Sequence, residues 1–269
     1  MNRPPGRLVL LGRPVAHSLS PRFQNAALLK AGIPLTYEAI DVAPLKLADT
    51  MSALRLVRGA GNVTIPHKTA VADLCDCLTP VATRTGAVNT FWHDAAGTLN
   101  GDNTDVEGFL RLVESLRLPS LPQRVAILGA GGAAAAVCDA VASWPGTTAL
   151  LWSRHPETAA RLAKRYAACV SPVTDIEDCV RSAGLVVNAT PVGLLDEDIP
   201  LPVHLIPRDA AVTDLVYRTT ETRWVREARA HGHPAADGLV MLIEQGAAAF
   251  RRWFGVEPDR DAMRRAAGR

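Results

Sequence analysis

The 269-residue sequence predicts an α/β protein made of two successive units. Three observations carry that prediction. Short apolar runs alternate with stretches of helical period along the chain. The turn Gly129-Ala130-Gly131-Gly132-Ala133-Ala134 directly follows one apolar run and opens an alanine-rich stretch. A proline-bearing break, Leu118-Pro119-Ser120-Leu121-Pro122, separates the first α/β stretch from that turn and is the expected linker.

In the first half, residues 7–11 read as a strand, and 21–31 as a helix with proline in its first turn and Gly32 as its stop. Residues 35–42 read as a strand, 44–57 as a helix, 61–65 as a third strand, and a helix starts at His67. A hairpin is expected over 87–93 and 98–100. Strands interleaved with helices imply a largely parallel sheet. From 105 to 118, Val106, Phe109, Leu110, Val113 and Leu116 share one helical face, and this helix is the expected bridge between units.

The second half opens with a buried strand at 124–128, the glycine-rich turn and its helix. A strand at 148–152, a helix near 156–168, and strands at 185–188, 211–216 and 234–236 complete a second βαβ array. Leu239, Leu242, Ile243, Ala247 and Phe250 fall at helical spacing over 239–254.

A hydrophobic content of 48% and a charged content of 21% supply ample core material. Net charge is only +2, with Lys and Arg scattered among Asp and Glu, which speaks against a nucleic-acid partner. The run 8–11 is too short for a signal-peptide core, and no apolar stretch reaches the roughly 18–20 residues that span a bilayer. Five cysteines fit no disulfide framework. Cys75-Asp76-Cys77 lacks the second ligand pair a metal would need, so no metal is expected. The expectation is a reduced, cytoplasmic protein.

Glycines in the 129–134 turn let backbone N–H groups approach a phosphate, while the helix start contributes its positive dipole end. Close packing is the plainer use of such glycines; the strand before and helix after are the context a dinucleotide site requires. After the next strand, Ser153-Arg154-His155 stands where an NAD site offers a carboxylate. Arg154 can fork onto a 2′-phosphate, which points to NADP(H), although it also reads as a solvated loop arginine.

Four polar loops sit at strand ends in the first half. Ser18 and Ser20, two apart, face the same way if the segment is extended, and can receive a carboxylate; equally, Ser20 is a helix cap. Asn62 and Thr64 alternate onto one face at the end of the third strand, with Lys68 just beyond. Taken alone, Lys68 reads as a first-turn helix lysine, Asp105 as a helix cap and Asn89 as a turn residue. A lysine and an aspartate near a dinucleotide turn together suggest hydride transfer coupled to proton transfer.

These strings together resemble the shikimate dehydrogenase family over nearly the whole chain. GRPVAHSLSP at 12–21, GNVTIPHK at 61–68, GAVNT at 86–90 and GDNTD at 101–105 are similar to its substrate loops. GAGGAA at 129–134, NATPVG at 188–193, DLVY at 214–217 and DGLVMLIEQ at 237–245 are similar to its later motifs. The resemblance implies reversible NADP(H)-dependent reduction of 3-dehydroshikimate to shikimate, in aromatic amino-acid (chorismate) biosynthesis. It implies a catalytic pair of Lys68 and Asp105, a carboxylate receptor at Ser18 and Ser20, and ring-hydroxyl contacts at Asn62, Thr64, Asn89, Asp105 and Gln245. Gly129, Ala130, Gly131, Gly132, Ala133, Ser153, Arg154 and Thr190 are implied at the cofactor, with Tyr217 and Gly238 where nicotinamide and substrate meet.

The implied domains are 1–105 for substrate and catalysis, 106–237 as a Rossmann-type NADP-binding domain, and 238–269 as helices returning to the first, with a cleft between domains. Implied partners are the small-molecule substrate and, as the candidate assembly, a homodimer, with no nucleic acid and no membrane.

Several positions depart from the family pattern. Gln24 replaces its usual histidine, Ser153-Arg154-His155 and Thr158 replace a fuller 2′-phosphate cluster, and Arg218-Thr219-Thr220 follows Tyr217 without the expected proline. The rivals are a quinate or aminoshikimate dehydrogenase of the same family, and a non-catalytic NADP(H) sensor. The serine pair favours shikimate, and a sensor has no use for a proton donor.

Overall fold

The computed structural model describes residues 5–268. Residues 1–4 and 269, which the expected domain bounds include, lie outside them. One compact unit takes the chain up to Asp105 and again from Ile243; the other spans Val106–Leu242. The chain changes unit at 105/106, so the proline-rich segment 118–122 lies inside the second unit and is not the boundary.

In the first unit, β1 (Leu8–Gly12) is buried along its full length, as expected of a continuous apolar run covered on both faces. α1 (Ser20–Lys30) follows, then β2 (Tyr37–Asp41), a 3₁₀ turn leading into α2 (Leu47–Leu56), and β3 (Ala60–Val63). α3 (Lys68–Leu74), β4 (Cys77–Leu78) and α4 (Pro80–Thr85) precede the hairpin β5 (Thr90–His93) and β6 (Leu99–Asp102). Strand order is β2-β1-β3-β5-β6-β4. Three pairings are parallel, but β5 runs against both β3 and β6, so the sheet is mixed where a largely parallel one was expected. The hairpin itself causes this, because a short turn can only join antiparallel strands. Val9, Leu11, Val63 and Phe91 from the sheet, with Val88 just before β5, pack with Met51, Leu54 and Val71 from the helices.

α5 (Asp105–Ser115) starts where the first unit ends. It buries Val106, Phe109, Leu112 and Val113, whereas Leu110 is half-buried, so its apolar stripe is rotated toward Leu112 from the expected face. The second unit then alternates strand and helix: β7 (Arg124–Leu128), α6 (Gly132–Ala142), β8 (Thr148–Trp152), α7 (Pro156–Arg165), β9 (Val170–Val173) and α8 (Ile176–Val180). β10 (Leu185–Asn188), β11 (Ala211–Asp214), α9 (Arg223–Ala230) and β12 (Ala235–Asp237) follow. All pairings are parallel, in the order β12-β11-β10-β7-β8-β9. This is a doubly wound sheet whose connections reverse direction between β7 and β10. α10 (Leu239–Phe254) carries the chain back into the first unit at residue 243, and α11 (Arg260–Ala267) packs on α1 there.

Candidate active site

The first sheet brings four sequence-distant loops to one edge. β1 and β3 are parallel, so the loops after Gly12 and Val63 leave on the same side. β5 runs antiparallel to β3 and β6, so the start of β5 and the end of β6 reach that same edge. Asn62, Thr64, Lys68, Asn89 and Asp105 are therefore neighbours for a topological reason. The Arg13 N–H also donates to the Ile65 carbonyl at 2.9 Å, joining the first two loops.

Lys68 is the first residue of α3 and Asp105 the first of α5. Neither side chain points to open solvent: they are 16% and 8% exposed, and Lys68 Nζ lies 2.5 Å from Asp105 Oδ2. The other oxygen, Oδ1, accepts from Asn89 Nδ2 at 2.8 Å. Asn89 donates its second amide proton to Gln245 Oε1 at 3.2 Å, while its own Oδ1 accepts from Thr104 N and Oγ1 at 2.8 and 3.1 Å. All four hydrogen-bonding sites of that amide are thus filled. Asn89 holds the Asp105 carboxylate, and the bond to Gln245 is the longest of its set. A lysine ammonium has three donors, and Asp105 takes one, so others remain for an incoming oxygen.

Asn62 is buried and similarly engaged. It accepts from the Tyr37 hydroxyl at 2.8 Å and donates to Asn89 O and Thr90 Oγ1 at 3.1 and 2.8 Å. Thr64 is half-buried just past β3, held by its N–H to Leu11 O at 2.8 Å. The segment is not extended: Ser18 closes a turn with its N–H to Val15 O at 3.1 Å, Ser20 opens α1, and the Ser20 N–H donates to Ser18 Oγ at 3.2 Å. The turn, not strand alternation, sets the serines side by side. Ser20 is the first helical residue of α1, whose cap position is Leu19 with no side-chain bond, so Ser20 is not a cap. The serines stand outside the Lys68–Asp105–Asn89–Gln245 network.

Sequence reasoning passed over Tyr37 and Thr104, and noted Gln24 only as a departure from the family pattern. Tyr37 reaches across β1 to Asn62, a contact between non-adjacent strands that no local signal announces. Thr104 was visible inside the polar string GDNTD, though not its partner. Gln24 donates through Nε2 to Gly246 O at 2.9 Å and so ties α1 to α10 beside Gln245.

In the second unit the glycine turn lies at the switch point between β7 and β10. Gly129 has φ +109, and a Cβ there would meet Ala189 O at 2.7 Å, so only glycine allows β7 to pass the residue after Asn188. Gly131 precedes α6 with no side-chain cap, and nothing lies within 4 Å of where its Cβ would stand. Ala130, Gly132 and Ala133 flank this open helix start. An uncapped helix start with open space beside Gly131, at the switch point, fits a pyrophosphate. Ser153, half-buried, accepts from the His155 N–H at 3.2 Å, and Arg154 is exposed just after β8. Glu157 stands in the first turn of α7, 3.8 Å from His155 Nδ1. Thr190, Tyr217 and Gly238 lie past the ends of β10, β11 and β12. Among the described residues no group of three His, Cys, Asp or Glu could hold a metal ion, and no helix is long and apolar enough to cross a membrane.

The domain family described as the shikimate dehydrogenase substrate binding domain matches residues 10–91, and the shikimate 5′-dehydrogenase C-terminal domain matches 238–267. A shikimate dehydrogenase (NADP(+)) of Symbiobacterium thermophilum is 41% identical over 280 residues, covering 99% of this chain and 95% of the relative. The crystal structure of shikimate 5-dehydrogenase from Thermus thermophilus, in complex with NADP(H) and shikimate, superposes with a TM-score of 0.88 at 41% identity, covering 97% of this chain and 98% of that one. Quinate dehydrogenase from Corynebacterium glutamicum, in complex with NAD, reaches a TM-score of 0.88 at 33% identity, covering 96% and 97%.

Proposed function

The chain belongs to the shikimate dehydrogenase family, and on that premise we propose how its residues carry the reaction. It is an NADP-dependent oxidoreductase that interconverts 3-dehydroshikimate and shikimate, a step of aromatic amino-acid biosynthesis. Residues up to 105, with the helices after 238, form the substrate and catalytic part, and residues 106–237 bind NADP. The observation that carries the mechanism is the Lys68–Asp105 pair, fixed from behind by Asn89.

When bound, NADPH supplies hydride to the C3 carbonyl carbon. Negative charge then grows on the carbonyl oxygen, and a positioned donor must meet it. Lys68 is that donor: its ammonium gives a proton to the oxygen as the C–H bond forms. Asp105 orients the ammonium through Oδ2 and accepts from the neighbouring ring hydroxyl. Ser18 and Ser20 receive the carboxylate through their hydroxyls. Thr64 and Gln245 meet the ring hydroxyls directly, Asn62 accepts from one through the remaining lone pair of its Oδ1, and Asn89 meets one by opening its bond to Gln245. Tyr217 and Gly238 close the nicotinamide side, with Thr190 beside them.

At the far end of the cofactor, Gly129, Ala130, Gly131, Gly132 and Ala133 cradle the pyrophosphate, while Ser153 and Arg154 take the 2′-phosphate. Glu157 opposes that phosphate, and Arg154 alone supplies the fork, so preference for NADP over NAD is narrower than a multi-arginine clamp gives. The enzyme works in the cytoplasm, as a monomer or homodimer. An NADPH-oxidation assay with 3-dehydroshikimate, repeated with NADH and with 3-dehydroquinate, tests the cofactor and substrate assignments. Turnover is expected with NADPH and 3-dehydroshikimate; a higher kcat/KM for NADH, or for 3-dehydroquinate, overturns the assignment of cofactor or of substrate.

A further inference from the structure

Asp214 ends β11 at 1% exposure, between Asn188 at the end of β10 and Asp237 at the end of β12. A buried carboxylate is expensive unless it is fully hydrogen-bonded. Here Oδ1 accepts from Asn188 Nδ2 at 2.8 Å and from the Val216 N–H at 3.1 Å, and the Thr222 hydroxyl donates to the same group. Each donor belongs to a loop with a further attachment. Asn188 Oδ1 accepts from Thr190 N and Oγ1 at 3.0 and 2.6 Å, and its amide also reaches Val192 O at 3.3 Å. Val216 O accepts from Gly238 N at 2.9 Å. Thr222 caps α9 by accepting from Val225 N, closing the stretch that carries Tyr217.

One carboxylate therefore anchors the 188–192 loop, the 215–222 loop and, through Val216, the entry to α10. These loops leave the carboxyl ends of parallel strands, on the side where doubly wound sheets bind ligands. They carry Thr190, Tyr217 and Gly238, yet neither the glycine-rich turn nor the Lys68–Asp105 pair involves Asp214.

We propose that Asp214 is a positioning residue for the cofactor: through Asn188 and Val216 it sets the two loops that receive the nicotinamide half of NADP(H). It touches no reacting atom. An apolar residue of similar size would fill the space but leave the Asn188 amide and Val216 N–H unanswered, freeing both loops. The proposal rests on the assignment of the second unit as the NADP-binding one.

Calorimetric titration of NADPH into the wild-type enzyme, Asp214→Ala and Asp214→Asn tests it. In Asp214→Ala the Kd should rise by about tenfold or more, with stoichiometry still near one per chain and shikimate KM changed less than about twofold. Asp214→Asn keeps an oxygen toward Asn188 and Val216, so its Kd should return to within about threefold of wild type. A purely structural role lowers stoichiometry and Tm but leaves Kd alone; that result, or an Asn variant as weak as Ala, overturns the proposal. If Asp214→Ala does not fold, Asn188→Ala cuts the same link to Thr190 and should show the same Kd rise; a wild-type Kd there is equally fatal. Wild-type enzyme that fails to bind NADPH refutes the cofactor assignment itself, before any variant is compared.

Discussion

Asn89 illustrates what a single amide does in this site. It spends all its hydrogen-bonding capacity on Asp105, Gln245 and Thr104, so it fixes the carboxylate that orients the lysine. Asn89→Ala strips Asp105 Oδ1 of its partner and leaves the Thr104 N–H without one. We expect kcat to fall about 10–100-fold, and stability by about 1–3 kcal/mol. Steady-state kinetics beside urea denaturation check this, and unchanged kcat would show that Asp105 needs no support.

Asp214 makes a second prediction at the same scale. Burial pushes its carboxyl up to about 6 from an unfolded value near 3.8, against the bonds from Thr222, Val216 and Asn188, and the neighbouring Asp237 pushes the same way. Between these values the folded chain holds a proton that the unfolded chain has released. Its contribution to stability is therefore fully present below about pH 4 and is lost as pH rises through about 6. Asp214→Asn cannot titrate there, so its stability relative to wild type should grow by on the order of 2 kcal/mol from pH 4 to pH 7.5. Urea midpoints at both pH values measure the difference, and parallel pH profiles for the two proteins would contradict the assignment.

Among the elements, α10 depends on a close approach to α1. A Cβ on Gly246 would lie 2.5 Å from Phe23 Cε2, a ring buried at 0% exposure, and 3.2 Å from Gln24 Nε2. Gly246→Ala must displace that ring or separate the helices next to Gln245. The expected cost is about 1–3 kcal/mol, with a rise in shikimate KM, and a thermal melt with a KM determination tests both. A Tm equal to wild type would mean that the helices have slack. Elements with a strong apolar period were legible in the sequence: β1, β7, β8 and β10 stand within a residue or two of expectation. Those missed are short or polar. β4 has two residues, and β9 carries Pro172, which an edge strand tolerates. α4, α8, α9 and α11 start at capping side chains, Thr79, Asp175, Thr222 and Asp259, so the signal lay in the caps rather than in apolar period.

For the whole molecule, the pattern in the sequence and the pattern in the site differ in kind. GNVTIPHK and GDNTD point to candidate site residues because each packs its polar residues into a few consecutive positions, and GAGGAA points to a phosphate turn through its glycines. The partners that hold those residues come from elsewhere: Gln245 stands 156 positions from Asn89, and Tyr37 is 25 from Asn62. Only the sheet order and the return of α10 unite them, and no local period encodes that return. Family membership and the reaction class follow from the strings, while the roles of Asn89, Gln24 and Asp214 needed coordinates.

The measurement that bears most directly on the account is kcat and KM for Lys68→Ala with 3-dehydroshikimate and NADPH. A drop in kcat of about 10²–10⁴ with shikimate binding nearly intact is the predicted result, because the proton donor to the carbonyl oxygen is gone. Turnover close to wild type would mean that the proton reaches that oxygen from another group, and that the Lys68–Asp105 contact only braces the fold.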